Sequence, residues 1–204
     1  MLDMWMQGAL EALERGWNVL LFDGPGQGAA FVRQGLAFRA DWEAVLTPVL
    51  DWLTARAEVD AGRVAVLGVS QAGYWVPRAL SREHRFAAAV VDPGVVDVST
   101  TLLDHFPHSM AKLLAAGEKD KLDRNMRMGE RFSKDVAATV ALRFRPYGLE
   151  STYDVLKRAQ EMHLTDEDVA AIDTPVLVTD PEDEQFWPGQ PQELFDKLPG
   201  VKAH

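Results

Sequence analysis

The chain has 204 residues, enough for one domain with an insertion, and its 47% hydrophobic and 25% charged content excludes a mainly disordered state. Acids outnumber bases 31 to 21, a formal charge of -10 that repels phosphate backbones and anionic lipid, so neither nucleic acid nor a membrane is an expected partner. There is no cysteine, which excludes disulfides, thiolate metal sites and cysteine nucleophiles.

Leu2 to Arg15 places Leu2, Trp5, Met6, Ala9, Leu10 and Leu13 at helical spacing, with Gly16 as its stop. This opening carries acids and no basic n-region, so it does not read as a signal peptide and the cytoplasm is the expected compartment. Asn18–Asp23 is a short apolar run suited to a buried parallel strand, and Gly24–Gly28 is a glycine-rich loop. A helix is predicted from about Trp42 to Arg56, with Asp41 as N-cap. Arg63–Gly68 reads as a second buried strand, Gln71–Arg82 as a helix and Phe86–Asp92 as a third strand.

Strand signals then stop. Leu102–Ala116, Leu122–Phe132, Val136–Arg143 and Tyr153–Glu161 all read as amphipathic helices. A strand returns at Thr174–Asp180 and a helix at about Pro191–Leu198, followed by a stub, Val201–His204. Alternating buried strands and helices predict an α/β fold, a doubly wound and mostly parallel sheet. The helical stretch becomes an inserted cap, giving a first core part at 1–98, a cap at 99–172 and a second core part at 173–204. Parallel strands need cover and flanking neighbours, so strands are expected to be missing at both ends. The edges this leaves unpaired would allow association between copies.

Three places can carry chemistry. The first is Gly68-Val-Ser70-Gln71-Ala72 between a strand and a helix, which matches a nucleophile elbow with alanine in the last position. The turn would raise the Ser70 hydroxyl above the carboxyl edge of the sheet, where the start of the next helix aims N–H groups at a developing oxyanion. The rival is a dinucleotide fold, with Gly68 and Gly73 at the turn and Asp92 on a ribose. However, Ser70 stands where that fingerprint needs its middle glycine.

The second place, Asp23-Gly-Pro-Gly-Gln-Gly28-Ala29, also fits a phosphate fingerprint, with Asp41 or Glu43 near the ribose-acid distance. Pro25 removes an N–H from the cradle and no Lys-Ser/Thr follows, so a plain turn is the better reading. The third place is the acidic loop Asp180-Pro-Glu-Asp183-Glu184-Gln-Phe-Trp-Pro188 after the last long strand. Such a loop is most simply a solvated one, yet a carboxylate there, after an elbow serine, follows the order Ser, acid, His. That order leaves only His204 as base, at a chain end that cannot hold the geometry. His105 and His108 belong to the cap, and His84 to a polar helix end. No His pair has metal-ligand spacing, so no metal or other cofactor is expected.

Gly16–Gly28, Gly68–Arg78 and Asp180–Gly189 together resemble the α/β-hydrolase superfamily. They are most similar to its capped bacterial branch, with 2,6-dihydroxypseudooxynicotine hydrolase and the fermentation–respiration-switch-type esterases. The likeness runs over essentially the whole chain, in order. It implies Ser70 as nucleophile and the Gln71 N–H as one oxyanion donor. The acid four residues before Pro188 would be Glu184, with Asp183 the alternative. It places the catalytic His on a loop after the last strand and the second oxyanion donor before the first helix. Both would lie outside this chain, which would then cover the middle of the fold and show little Ser70-dependent activity alone. The implied substrate is a small ester, amide or activated ketone. Tyr74 and Trp187, with Trp75 and Phe186 beside them, are the expected walls of an apolar pocket.

Overall fold

The computed structural model describes residues 4–104 and 106–203. Four parallel strands form one sheet in sequential order: β1 (Ala65–Val69), β2 (Ala88–Asp92), β3 (Val176–Val178) and β4 (Lys202–Ala203). The C-terminal stub is thus not a loose end: Val176 and Leu177 pair with Lys202 and Ala203. Register sends Gly68, Val91 and Val178 to one face and Leu67, Val90 and Leu177 to the other.

The first face holds the core. Helix α3 (Glu43–Thr54) packs on α4 (Ala72–Leu80), which covers β1 and β2. Near the other end of the chain, α10 (Asp166–Ala170) and α11 (Gln190–Lys197) close the same cluster with Val169 and Leu194. On the opposite face Leu67 and Leu177 stay 38% and 40% exposed. A Cβ built on Gly8 would lie 3.7 Å from the Leu67 side chain, so the N-terminal turn approaches that face there.

Several sequence expectations change in detail. The first helix is not continuous. An irregular turn at Trp5–Ala9 leads into α1 (Leu10–Glu14), because Gly8 takes a positive φ of 104°. Asn18–Asp23 is not a strand among the described residues: it pairs with none of the four strands. An apolar run is necessary for a buried strand but becomes one only beside a ladder partner. Asp23 instead accepts the Ala29 N–H at 3.0 Å in the first turn of an unpredicted helix, α2 (Gly28–Gln34), whose N-cap position is held by Gln27. Asp41 does not cap α3. It grips Arg39 through two hydrogen bonds of 2.7 and 2.6 Å, and Trp42 holds the N-cap position.

Between β2 and β3 the described residues form helices and turns, plus one isolated bridge between Asp97 and His163. These are α5 (Thr100–Leu103), α6 (His108–Ala115), α7 (Lys119–Phe132), α8 (Lys134–Thr139), α9 (Thr152–Gln160) and α10. Pro107 separates α5 from α6, which the sequence joins as one helix. After α8 the chain widens into a π-helical turn, Val140–Phe144, and a 3₁₀ turn, Arg145–Tyr147. The way in and the way out of this segment are zipped together. Val98 N–H donates to Met162 O and Leu164 N–H to Val96 O, at 3.0 and 2.8 Å. Buried Gln190 of α11 clamps the same neck, accepting from Val96 and Asp97 N–H and donating to Asp97 O and Thr100 Oγ1. No described helix is long and apolar enough to cross a membrane.

Candidate active site

Ser70 follows β1 directly and has φ +58°, the one positive φ at a non-glycine position among the described residues. Such a conformation costs about 1–3 kcal/mol and persists only where surrounding structure fixes it. Here the fixing contacts are short. Ser70 N–H donates to Asp92 O at 2.7 Å, and Gly73 N–H donates to Ser70 O at 2.8 Å. A Cβ on Gly68 would lie 2.5 Å from Ala72 O, and one on Gly73 would lie 1.9 Å from Pro93 O. Glycine is needed at 68 and 73, so the strand can press on the helix and the helix on the β2 exit. Position 72 carries a methyl without conflict, which is why the motif tolerates alanine there.

Ser70 and Gln71 open onto a cavity of about 230 Å³. Phe38, Val98, Phe186 and Trp187 also line it, together with Thr101, Leu102, Leu142, Arg143, Pro146 and Tyr147 of the 99–172 segment. The Gln71 N–H has no acceptor among the described residues and stands at the start of α4. The Ser70 hydroxyl likewise has no hydrogen-bond partner among them. Burial pushes the Tyr147 phenol far above its usual range, so it stays protonated at neutral pH. A larger cavity, about 340 Å³, lies across the π-helical turn, lined by Phe31, Phe144 and Val155 with Glu130, Arg145 and Glu150. It contains none of the residues of the Ser70 turn.

The acidic loop reaches the same cleft. Glu184 is half-buried and its Oε1 accepts the Phe186 and Trp187 N–H groups at 2.6 and 3.0 Å. The backbone that Glu184 holds therefore carries two residues of the cleft wall. Trp187 is buried and directs its indole N–H at Val98 O, 3.5 Å away. Asp183 is exposed.

The model of the family described as "Alpha/beta hydrolase family" matches residues 3–204. The chain belongs to the alpha/beta hydrolase family. Among similar curated proteins, "Hydrolase ffsE" of Aspergillus flavipes is 30% identical over 81% of this chain and 39% of its own length. "20-hydroxy-prefusarin hydrolase FUS2" of Gibberella moniliformis is 29% identical over 91% of this chain and 45% of its own. A solved 2,6-dihydroxy-pseudo-oxynicotine hydrolase superposes with a TM-score of 0.68 at 16% identity, over 98% of this chain and 49% of that one. The chain thus spans less than half the length of these curated relatives, both of which are fungal.

Against this alpha/beta hydrolase frame the predicted site residues divide. The structure gathers Ser70, Gln71 and Trp187 around one cleft and sets Glu184 behind two of its wall residues. Tyr74 is a correction. It is fully buried, its hydroxyl donates to Ala40 O at 3.1 Å, and it does not line the cleft. Four residues past Ser70, α4 has turned its side chain back under the sheet. Trp75 is also core, stacked on Trp42 with centroids 4.3 Å apart. Asp92, the ribose ligand of the dinucleotide reading, instead accepts a 2.5 Å hydrogen bond from the Thr179 hydroxyl.

None of His84, His108 and His163 lines the cleft. His84 pairs with Asp173 at 3.0 Å, and His163 Nδ1 contacts Gln160 O at 2.8 Å. His105 and His204 lie outside the described residues. Among the described residues no group of three His, Asp or Glu side chains could hold a metal ion. Phe38, Arg143 and Tyr147 were not singled out from sequence. They reach the cleft through long-range contacts that local spacing does not encode.

Proposed function

We propose that Ser70 is the nucleophile of a hydrolase acting on a small ester, amide or activated ketone. The observation that carries this is the Ser70 conformation: a left-handed serine between strand and helix, facing a cleft, with the Gln71 N–H uncommitted beside it. Ser70 Oγ adds to the substrate carbonyl and the resulting oxyanion accepts from Gln71 N–H, aided by the positive end of α4. Glu184, with Asp183 as the alternative, orients an imidazole that takes the Ser70 proton and returns it to the leaving group. None of the three described histidines plays that part. An acyl-enzyme forms and water releases it. With a ketone, the bond broken is C–C and the leaving carbon must be stabilised as a carbanion.

The helices of 99–172 act in this reading as a cap that closes an apolar cleft over the serine. The names of the relatives agree with the reaction class, and one of them is named for a small organic substrate. Fluorophosphonate labelling of the full-length gene product tests the proposal. One label should appear, on the peptide containing Ser70, and vanish in Ser70→Ala. A folded protein that takes no label, or takes it elsewhere, would leave a fold that binds without this chemistry.

A further inference from the structure

The Ser70 cleft is walled by aromatic and aliphatic side chains, with one cation among them, Arg143. Arg143 lies in the π-helical turn Val140–Phe144 and is half-buried. Its guanidinium carbon sits 4.8 Å from the centroid of the Phe186 ring. A guanidinium over an aromatic ring spends no N–H donor in a hydrogen bond to that ring's edge, so its donors stay available to a ligand.

What distinguishes Arg143 is that no carboxylate among the described residues pairs with it, in a chain rich in acids. Arg39, Arg56, Arg78, Arg82, Arg85 and Arg158 each pair with a carboxylate. Of the arginines with no carboxylate partner among the described residues, all but Arg143 are exposed, where water solvates them. The Arg143 side chain makes no hydrogen bond among the described residues either. A half-buried guanidinium with unmet donors in the same cleft as Ser70 is suited to a planar anion, which it can bind through two parallel N–H···O bonds.

Resting on the assignment of the cleft to Ser70 chemistry, we infer that Arg143 is a specificity residue that binds a carboxylate on the substrate. The preferred substrate is then an aromatic or aliphatic body with a carboxylate at one end and the reacting carbonyl at the other. Phe186 positions the guanidinium, and the apolar wall from Phe38 to Trp187 takes the body.

Calorimetric titration of the protein with 3-phenylpropionate and with its neutral isostere, 3-phenylpropionamide, tests this. The measurements belong at physiological salt, where the general repulsion from a chain of charge -10 is screened. The acid should bind about tenfold more tightly than the amide, the size of a charge-assisted hydrogen bond in a partly desolvated site. Arg143→Gln should abolish the preference through loss of acid affinity, with an unchanged circular dichroism spectrum. Arg143→Lys should keep part of it, as a point charge without the planar fork. Equal binding of acid and amide, no binding of either, or a preference that survives Arg143→Gln would each overturn the inference. Fluorophosphonate labelling reports separately on Ser70. A missing label with the acid preference intact rejects the nucleophile and spares Arg143.

Discussion

The two faces of the sheet are built from similar residues and meet different surroundings. On one, Val91, Val176 and Val178 are buried beneath α4, α10 and α11. On the other, Leu67 and Leu177 remain more than a third exposed. The difference shows where the elbow gets its rigidity. Gly68 points to the covered face, against Val76 and Ala72 of α4, so the strand that ends in Ser70 is anchored on that side. The open face contributes nothing to the site, and its apolar side chains fill no described core.

The largest expected effect breaks this symmetry of composition by truncation. Leu194→Ala removes a fully buried side chain and should lower stability by about 2–5 kcal/mol. Leu177→Ala, on the open face, should stay under about 1 kcal/mol. Urea melts of both variants make the comparison. Equal losses would mean that the second face is covered in solution.

The covered side is also locked at its rim by charge. Arg78 of α4 bridges Glu43 of α3 and Asp168 of α10 at 3.0 and 3.2 Å, and Arg82 reaches Asp168 at 2.8 Å. The Asp168 side chain is only 2% exposed and its other contacts form a capping box with Thr165. Asp168→Asn should cost about 2 kcal/mol, below the cost of breaking a fully buried pair because Arg82 is half in water. A loss within the error of the melt would show that α10 is held by apolar contacts alone.

The readable part of the molecule was the part decided locally. Gly68-Val-Ser-Gln-Ala between an apolar run and an amphipathic segment led directly to the elbow, because the turn, its small residues and its helix are all neighbours in sequence. The capping box at Thr165 and Asp168 was equally local and marks α10, though the periodicity reading passed over so short a helix. What could not be read was decided by distant neighbours. Asn18–Asp23 has the composition of a strand and no ladder partner among the described residues. Tyr74 and Trp187 are both buried aromatics near candidate catalytic residues, yet only Trp187 also lines the cleft. Phe38 and Arg143 join Ser70 from opposite directions along the chain. An all-apolar strand such as Ala65–Val69 gives no sign of which of its faces will be covered.

A smaller effect sharpens the comparison through pH. Glu83, just past α4, is nearly buried, and its carboxyl is held down to about 2. The chief cause is the Arg85 side chain; burial opposes it, while the Arg85 N–H and the Thr47 hydroxyl of α3 add to it. Since the folded pKa lies below the unfolded one, the unfolded chain binds the extra proton. The stabilisation is complete above the ordinary glutamate range, and it fades as pH falls from there toward 2. Glu83→Gln should therefore flatten the acid limb of the stability profile across that window. An unchanged limb in the variant would assign acid sensitivity to other carboxylates.

The smallest effect isolates the strain itself. Ser70 holds a left-handed backbone that the covered face enforces through Gly68, Gly73 and the 2.7 Å hydrogen bond to Asp92 O. Ser70→Ala keeps the Cβ and with it the strain. Ser70→Gly removes the Cβ, and glycine reaches this conformation without penalty. Neither loses a hydrogen bond of the hydroxyl, which has none among the described residues. Glycine also loosens the unfolded chain, an opposing term of similar kind but smaller size where φ is positive. The net expectation is that Ser70→Gly is more stable than Ser70→Ala by about 1 kcal/mol. Elsewhere in a strand or helix the same swap has the opposite sign, so the sign alone decides. An alanine variant as stable as the glycine variant would mean that the turn relaxes once the serine is gone, and that packing beneath it does not hold residue 70 in its left-handed conformation.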